Sequence, residues 1–447
     1  MKDETFNLID VREEKYEPEE VRRVVLKLRD DTAVPPGEDI RHFLKGWKEI
    51  EAEFPGIEIE PLCTSLSPEE IEAHLAYAKE MDAEYAAVAP NFLNYFGVTY
   101  PPGTQAEALA RALMAAGEVV EYAVPAGFVP PPPLVNDAND GWRPSQTYLN
   151  PAPAGVNAAA AWQRPGGAGD GVHLVDLEQG WGLAVNHEDL PLARMALVSG
   201  QDKQFWGHGT AVMGIIAAVD NDRGVVGIAP RTGRISLVSL WRTNSDYKPY
   251  DALWDAINRT AAGDVILLEA QAHTFLPIDY YDNMYWLIRQ AVAGQRIVVM
   301  AAGNGAQNLN TAVDELGRQR WNVAGSASEA IMVGAAEFVN GQYTPRQATN
   351  RGPRVDCFAH GVGVMTTAAY TNNLALRNGY TNQFDGTSAA AAIVAGTAVA
   401  LQGIARATSG QPFSPARMRQ LLRLGTSSQN NLIGIMPDLQ RIVASLP

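Results

Sequence analysis

Residues 172–300 constrain the fold most, because short continuous apolar runs alternate there with helical patterns. Residues 172–175, 235–240, 265–268 and 297–300 are apolar and rich in Val, Ile and Leu. Residues 208–219, 250–262 and 282–294 carry helical periodicity between and after them. A strand that is apolar along its whole length is covered on both faces. Strands alternating with helices are joined by crossovers into a parallel sheet. The expected fold is α/β: a central, mostly parallel sheet flanked by helices over residues 155–447. Ligands on such sheets bind beyond the carboxyl ends of the strands, so polar residues there are the first candidates for chemistry.

The 447 residues exceed one typical domain, and the N-terminal part reads differently. Residues 21–29 alternate loosely and contain β-branched side chains, which predicts a strand. Ser67-Pro68-Glu69-Glu70 opens a helix running to about Asp82, with Ser67 as N-cap and Glu70 completing a capping box. A second helix is expected over 105–116 and a strand over 119–124. Residues 1–125 thus form a small α+β domain. It holds 26 acidic and 12 basic side chains against 24 and 23 in the remainder, so nearly all of the −15 net charge lies there. Such a region repels phosphates, and no nucleic acid partner is expected. Residues 126–154 include Pro130 to Pro133, Asn136, Asp137, Asn139, Asp140, Pro151 and Pro153. Their composition predicts an extended, solvated linker open to proteolysis.

Cys63 and Cys357 match no metal-ligand spacing and form no disulfide framework, so two unpaired thiols are expected. The charged start of the chain lacks a basic segment followed by an apolar run. That predicts a cytoplasmic protein, or one exported by a route without a Sec-type signal peptide. The 19 uncharged residues between Gly386 and Arg406 are mostly small, which predicts a buried helix and no membrane span.

Four polar residues stand where the chemistry is expected. Asp176 follows the apolar run 172–175, and His208 lies in Gly207-His208-Gly209-Thr210 at a helix start. Asn304 ends Ala301-Ala302-Gly303-Asn304 after a buried strand, and Ser388 opens the Ala-rich helix in Asp385-Gly386-Thr387-Ser388. A serine hydroxyl becomes a useful nucleophile only when a neighbouring base takes its proton. An imidazole does so near neutral pH. A buried carboxylate fixes the imidazole tautomer and stabilises the imidazolium. A side-chain amide aimed at the developing oxyanion contributes about 3 kcal/mol more.

The order Asp, His, Ser, together with Gly207-His208-Gly209-Thr210, Ala302-Gly303-Asn304, Gly386-Thr387-Ser388, Val226-Gly227-Ile228-Ala229-Pro230 and Val394-Ala395-Gly396, resembles the subtilases over about residues 150–440. The resemblance implies a subtilisin-like catalytic domain and a serine endopeptidase acting on protein or peptide substrates. It assigns Asp176, His208 and Ser388 as the triad and Asn304 as the oxyanion donor. No cofactor is required. A structural calcium ion is common in the family, although no acidic ligand loop stands out in the sequence, and no other metal is expected. Residues 119–123 and 24–28 are similar to strands of subtilase propeptides. That implies an inhibitory prodomain, a latent zymogen and autoprocessing.

Three departures accompany the resemblance. Glu178 occupies the place two residues after Asp176 where glycine is usual, Glu269-Ala270-Gln271 replaces the usual Ser-Leu-Gly, and Ala392 replaces a proline. Glu178 and Glu269 are therefore candidate modulating carboxylates: on one reading they approach each other and share a proton, on the other each is separately hydrogen-bonded and structural. The rival reading is a proteolytically silent binding protein on the same scaffold.

Overall fold

The computed structural model describes residues 22–446, except 36–37, 63–66, 82–89, 126–139, 184–185, 204, 244–245, 323–326, 370–378 and 429–431. Cys63 and the Pro-rich first part of the expected linker lie outside these residues. Two compact units divide the chain, residues 1–131 and 132–447.

The first unit is α+β. Its described strands are β1 (Arg23–Leu28), β2 (Glu58–Pro61), β3 (Tyr95–Thr99) and β4 (Val120–Pro125), and its described helices are α1 (Trp47–Glu53), α2 (Pro68–Met81) and α3 (Ala106–Met114). The sheet is antiparallel in the order β2-β3-β1-β4. Val24, Leu26, Val98, Leu109 and Leu113 are buried at its centre. The capping box forms as the sequence predicts: Ser67 N–H donates to Glu70 Oε2 at 2.8 Å, and Glu70 N–H donates to Ser67 Oγ at 3.3 Å. β2 is short and mostly exposed, so its pattern gave little sign of a strand.

The second unit has the expected α/β architecture. Its first half contains α4 (Ala158–Trp162), β5 (His173–Glu178), β6 (Met195–Ser199), α5 (Trp206–Ala217), β7 (Arg234–Ser239) and the hairpin β8 (Trp241–Thr243) and β9 (Asp246–Tyr247). Then follow α6 (Pro249–Arg259), β10 (Val265–Leu268), α7 (Asp282–Ala293), β11 (Ile297–Ala301), β12 (Ile331–Val339), β13 (Gln342–Pro345) and β14 (Cys357–His360). The hairpin β15 (Val364–Thr367) and β16 (Tyr380–Phe384), α8 (Thr387–Ser409), α9 (Pro415–Leu421), β17 (Gly425–Ser427), β18 (Ile435–Pro437) and α10 (Leu439–Ala444) complete it.

The main path of the sheet runs β17-β18-β14-β12-β11-β10-β5-β7-β6. Among the described residues of this sheet, only β17 with β18 and β13 with β12 pair antiparallel. Every residue of β10 and β11 is buried, which requires cover on both faces. After β5 the chain builds β6 and β7 on one side, then crosses to build β10, β11 and β12 on the other. The strand order therefore reverses at β5 and β10, and a crevice opens beyond their carboxyl ends. α8 is long and apolar enough to span a membrane, but 94% of its most apolar window is buried inside the protein, as expected of a core helix.

Residues 140–154 correct the linker reading. Trp142 N–H donates to Gly224 O at 2.6 Å, and Gln146 Nε2 donates to Val226 O at 2.8 Å. Tyr148 and Leu149 are buried in the core of this unit. Burial of Tyr148 and Leu149 outweighs the turn-forming composition around them, so this stretch is anchored on the second unit although many of its residues stay exposed.

Candidate active site

β5 and β10 pair in parallel with Leu177 opposite Leu268, and Glu269 N–H donates to Leu177 O at 3.2 Å. This register brings Glu178, the last residue of β5, and Glu269, just past β10, out of the sheet side by side. His208 lies in the first turn of α5, and its ring meets Phe384 edge-on at 5.1 Å. Ser388 is the second residue of α8, at the positive end of that helix. Glu178, His208, Glu269, Gln271, Asn304 and Ser388 line one cleft of about 300 Å³.

The carboxylate against His208 is Glu178 and not Asp176. His208 Nδ1 and Glu178 Oε1 share a hydrogen bond of 2.6 Å. Asp176 lies two residues inside β5, fully buried, with Oδ2 accepting from Trp181 Nε1 at 2.7 Å. Its other oxygen has no partner among the described residues. The expectation that Asp176 orients His208 is corrected for a geometric reason. Side chains alternate along a strand, so Asp176 and Glu178 share a face, but only Glu178 stands at the strand end where the cleft opens. The signal was present in the sequence: Glu178-Gln179-Gly180 has the acid–x–Gly spacing that Asp176 lacks. Trp181 also explains Gly209. A Cβ there would stand 2.5 Å from the indole and 2.4 Å from Gly180 O. α5 thus lies tight against the turn that follows β5.

Asn304 is held from two sides. Its Oδ1 accepts from Thr387 N–H at 3.1 Å, and its own N–H donates to Gln271 Oε1 at 3.0 Å. Because Thr387 N–H can only donate, the Asn304 oxygen must face it, and the NH₂ group is left toward Gln271 and the cleft. Gln271, in the triplet that departs from the family, is therefore an anchor for Asn304. Phe205, with φ of 57°, and Tyr247 add an aromatic wall. No motif pointed to either, because one depends on a left-handed turn and the other on the β8–β9 hairpin.

The electrostatics are crowded. Burial drives the Glu178 carboxyl well above its ordinary range, against the Gln179 N–H. Burial, then the charge of Glu178, does the same to Glu269, while His208 and the nearby Ser388 hydroxyl oppose it. Asp176 is raised by burial and by Glu178. Burial lowers His208, with Glu269 and Asp176 opposing; its side chain is still 31% exposed, so it remains reachable from the cleft. The expected approach of Glu178 and Glu269 is present: one oxygen of each and one His208 ring nitrogen lie within 4.8 Å of one another. Neither Glu269 oxygen has a hydrogen-bond partner of regular geometry among the described residues.

A second polar cluster bears on calcium. Asp140 Oδ2, Asp189 Oδ1 and Asn221 Oδ1 are buried without a partner among the described residues. Arg223 N–H on Asp140 and Val225 N–H on Asp189 draw these residues to one loop. Burial, Asp220 and Asp189 push Asp140 up to about 7. Carboxylate and amide oxygens left without partners are donors of the kind that a hard cation such as calcium takes.

The chain is similar to known proteins. The model of the subtilase family matches residues 198–434, just over half of the chain, which includes His208, Asn304 and Ser388 but neither Asp176 nor Glu178. An intracellular serine protease of Paenibacillus polymyxa is 28% identical over 296 residues, covering 62% of this chain and 81% of that protein. Subtilisin DY of Bacillus licheniformis is 30% identical over 226 residues, covering 48% and 72%. Among solved structures, a protease of Pseudoalteromonas arctica PAMC 21717 superposes with a TM-score of 0.50 at 20% identity, covering 69% of this chain and 98% of that one. With the matched motifs gathered in one cleft on this fold, the chain belongs to the subtilase family and is a serine endopeptidase.

Proposed function

We propose that Ser388 is the nucleophile, that His208 is its base and that Glu178 takes the place of the usual aspartate. The observation that carries this reading is the 2.6 Å hydrogen bond between His208 Nδ1 and Glu178 in a cleft shared with Ser388 and Asn304. With Nδ1 engaged, Nε2 is the nitrogen left to take the Ser388 proton. Ser388 Oγ attacks the peptide carbonyl, and the carbonyl electron pair moves onto oxygen. Asn304 Nδ2 and the N–H groups at the start of α8 stabilise that oxyanion. His208 returns the proton to the leaving amine, and water then releases the acyl group from Ser388. Among the described residues Ser388 makes no regular hydrogen bond to His208. Catalytic contacts of this kind often tighten only when substrate is bound.

The protease is made latent in this reading, restrained by its acidic N-terminal unit and released by its own cleavage between residues 125 and 155. Support comes from the separate α+β unit and from the resemblance of residues 24–28 and 119–123 to subtilase propeptide strands. A cytoplasmic location fits the intracellular relative. A calcium ion held by Asp140, Asp189 and Asn221 would neutralise that acidic cluster and brace the 221–225 loop; it takes no part in peptide cleavage. Labelling with a fluorophosphonate tests the nucleophile. Wild type is expected to label at Ser388 and Ser388→Ala not at all. Absence of labelling in wild type, even after removal of residues 1–131, would favour a silent binding protein.

A further inference from the structure

Glu269 is only 7% exposed, and neither of its oxygens has a regular hydrogen-bond partner among the described residues. Among the described residues no Lys or Arg lines the cleft it faces. A buried carboxylate in that position is costly unless it is neutral or a positive charge arrives beside it. The reaction itself creates such a charge: the imidazolium of His208, formed when Ser388 loses its proton. One Glu269 oxygen lies within 4.8 Å of a His208 nitrogen without a hydrogen bond between them, inside the range of strong coupling.

We propose that Glu269 is a fourth member of the catalytic centre, a carboxylate beside His208 and Ser388 that stabilises the imidazolium formed in the reaction. This inference rests on the reading of Ser388 and His208 as nucleophile and base. In the step concerned the proton passes from Ser388 Oγ to His208, the Oγ–C bond forms, and the carbonyl pair moves to oxygen. Glu269 gains and loses nothing; it supplies charge. That interaction is stronger in the transition state than in the resting enzyme, which is the condition for accelerating a reaction. The groups facing it are Asp176 and Glu178 from β5, His208 from α5, Tyr247 from β9, and Asp385 and Ser388 at the start of α8. Removing the Glu269 charge relieves repulsion on Glu178 and removes an attraction on protonated His208. Both effects keep the site in its active ionic form to lower pH.

The test uses the full chain, a fluorogenic peptide, Glu269→Gln, and Glu269→Ser, which restores the residue usual in subtilases. Both variants should lose about ten- to a hundredfold in kcat with KM changed less than about threefold. The acid limb of their pH–rate profiles should move down by about half a pH unit or more. A purely structural role would lower the melting temperature and leave that limb in place. Variants that retain kcat within about threefold of wild type, or whose acid limb does not move, overturn the proposal. Failure of wild type to label with fluorophosphonate would instead overturn the serine-nucleophile reading, and this inference with it.

Discussion

Glu178 reaches His208 with one methylene more than an aspartate has, from the last position of β5. Asp176 shares its face of the sheet but spends one oxygen on the Trp181 indole. Their substitutions should therefore differ sharply. Glu178→Gln is expected to lower kcat by about 10³-fold or more, since the imidazole loses both its tautomer and its counter-charge. Asp176→Asn should stay within about tenfold of wild type, because an amide oxygen can still accept from Trp181. Steady-state kinetics of the pair decides the assignment, and the opposite ranking would restore Asp176 as the triad acid. A sign follows for stability as well. Burial, first of all, raises the carboxyls of Asp176, Glu178 and Glu269 in the fold. The stability they add is complete below their unfolded values near 4 and is lost as the pH rises through their folded ones. Asp176→Asn should accordingly reduce the fall in stability with rising pH, measured by denaturation at several pH values.

Elements matter here through where they end and what locks them together. β14 and α9 are joined at Asp356, which is buried and accepts from Arg354 Nη1 at 2.7 Å, from Arg419 Nε at 2.8 Å and from Arg423. The arginines hold its carboxyl below the ordinary range despite burial. Asp356→Ala leaves Arg354, itself buried, without its countercharge. The expected loss is about 3–5 kcal/mol, read from the shift of the denaturation midpoint. A loss below about 1 kcal/mol would mean that the cluster is solvated and contributes little. At the other end of the sheet, Thr387 N–H at the start of α8 fixes the Asn304 amide, and Gln271 holds its backbone. Asn304, the proposed oxyanion donor, is thus oriented by Thr387, 83 residues further along the chain, and by Gln271, 33 residues before it.

The molecule as a whole joins an acidic α+β unit to a subtilase unit. Incubated wild type is expected to be cut between residues 125 and 155, and Ser388→Ala to remain intact on a gel. Equal cutting of both would assign the cleavage to another protease. Chelation should lower the melting temperature of wild type. Saturation about a hundredfold above Kd is worth about 2.7 kcal/mol, enough for a shift of several degrees. Asp189→Asn should largely abolish the response to added calcium. An unchanged response in that variant would place the ion elsewhere.

The fold class was legible because continuous apolar runs such as 265–268 permit little except a strand covered on both faces. His208, Asn304 and Ser388 were legible because each sits in a short motif whose neighbours bear directly on its position, as Gly209 and Thr387 do. The acid was legible only in part. The Glu178-Gln179-Gly180 spacing was there to be read, but where β5 ends depends on its pairing with β7 and β10. The meeting of Glu269 with His208 depends on the same register between strands nearly 90 residues apart. Local sequence marked Ser388 and His208 as the proposed nucleophile and base, and predicted the sheet that carries them. Tertiary structure decided which of three carboxylates reaches the imidazole, because strand register and burial, not motif order, set the distance between charges.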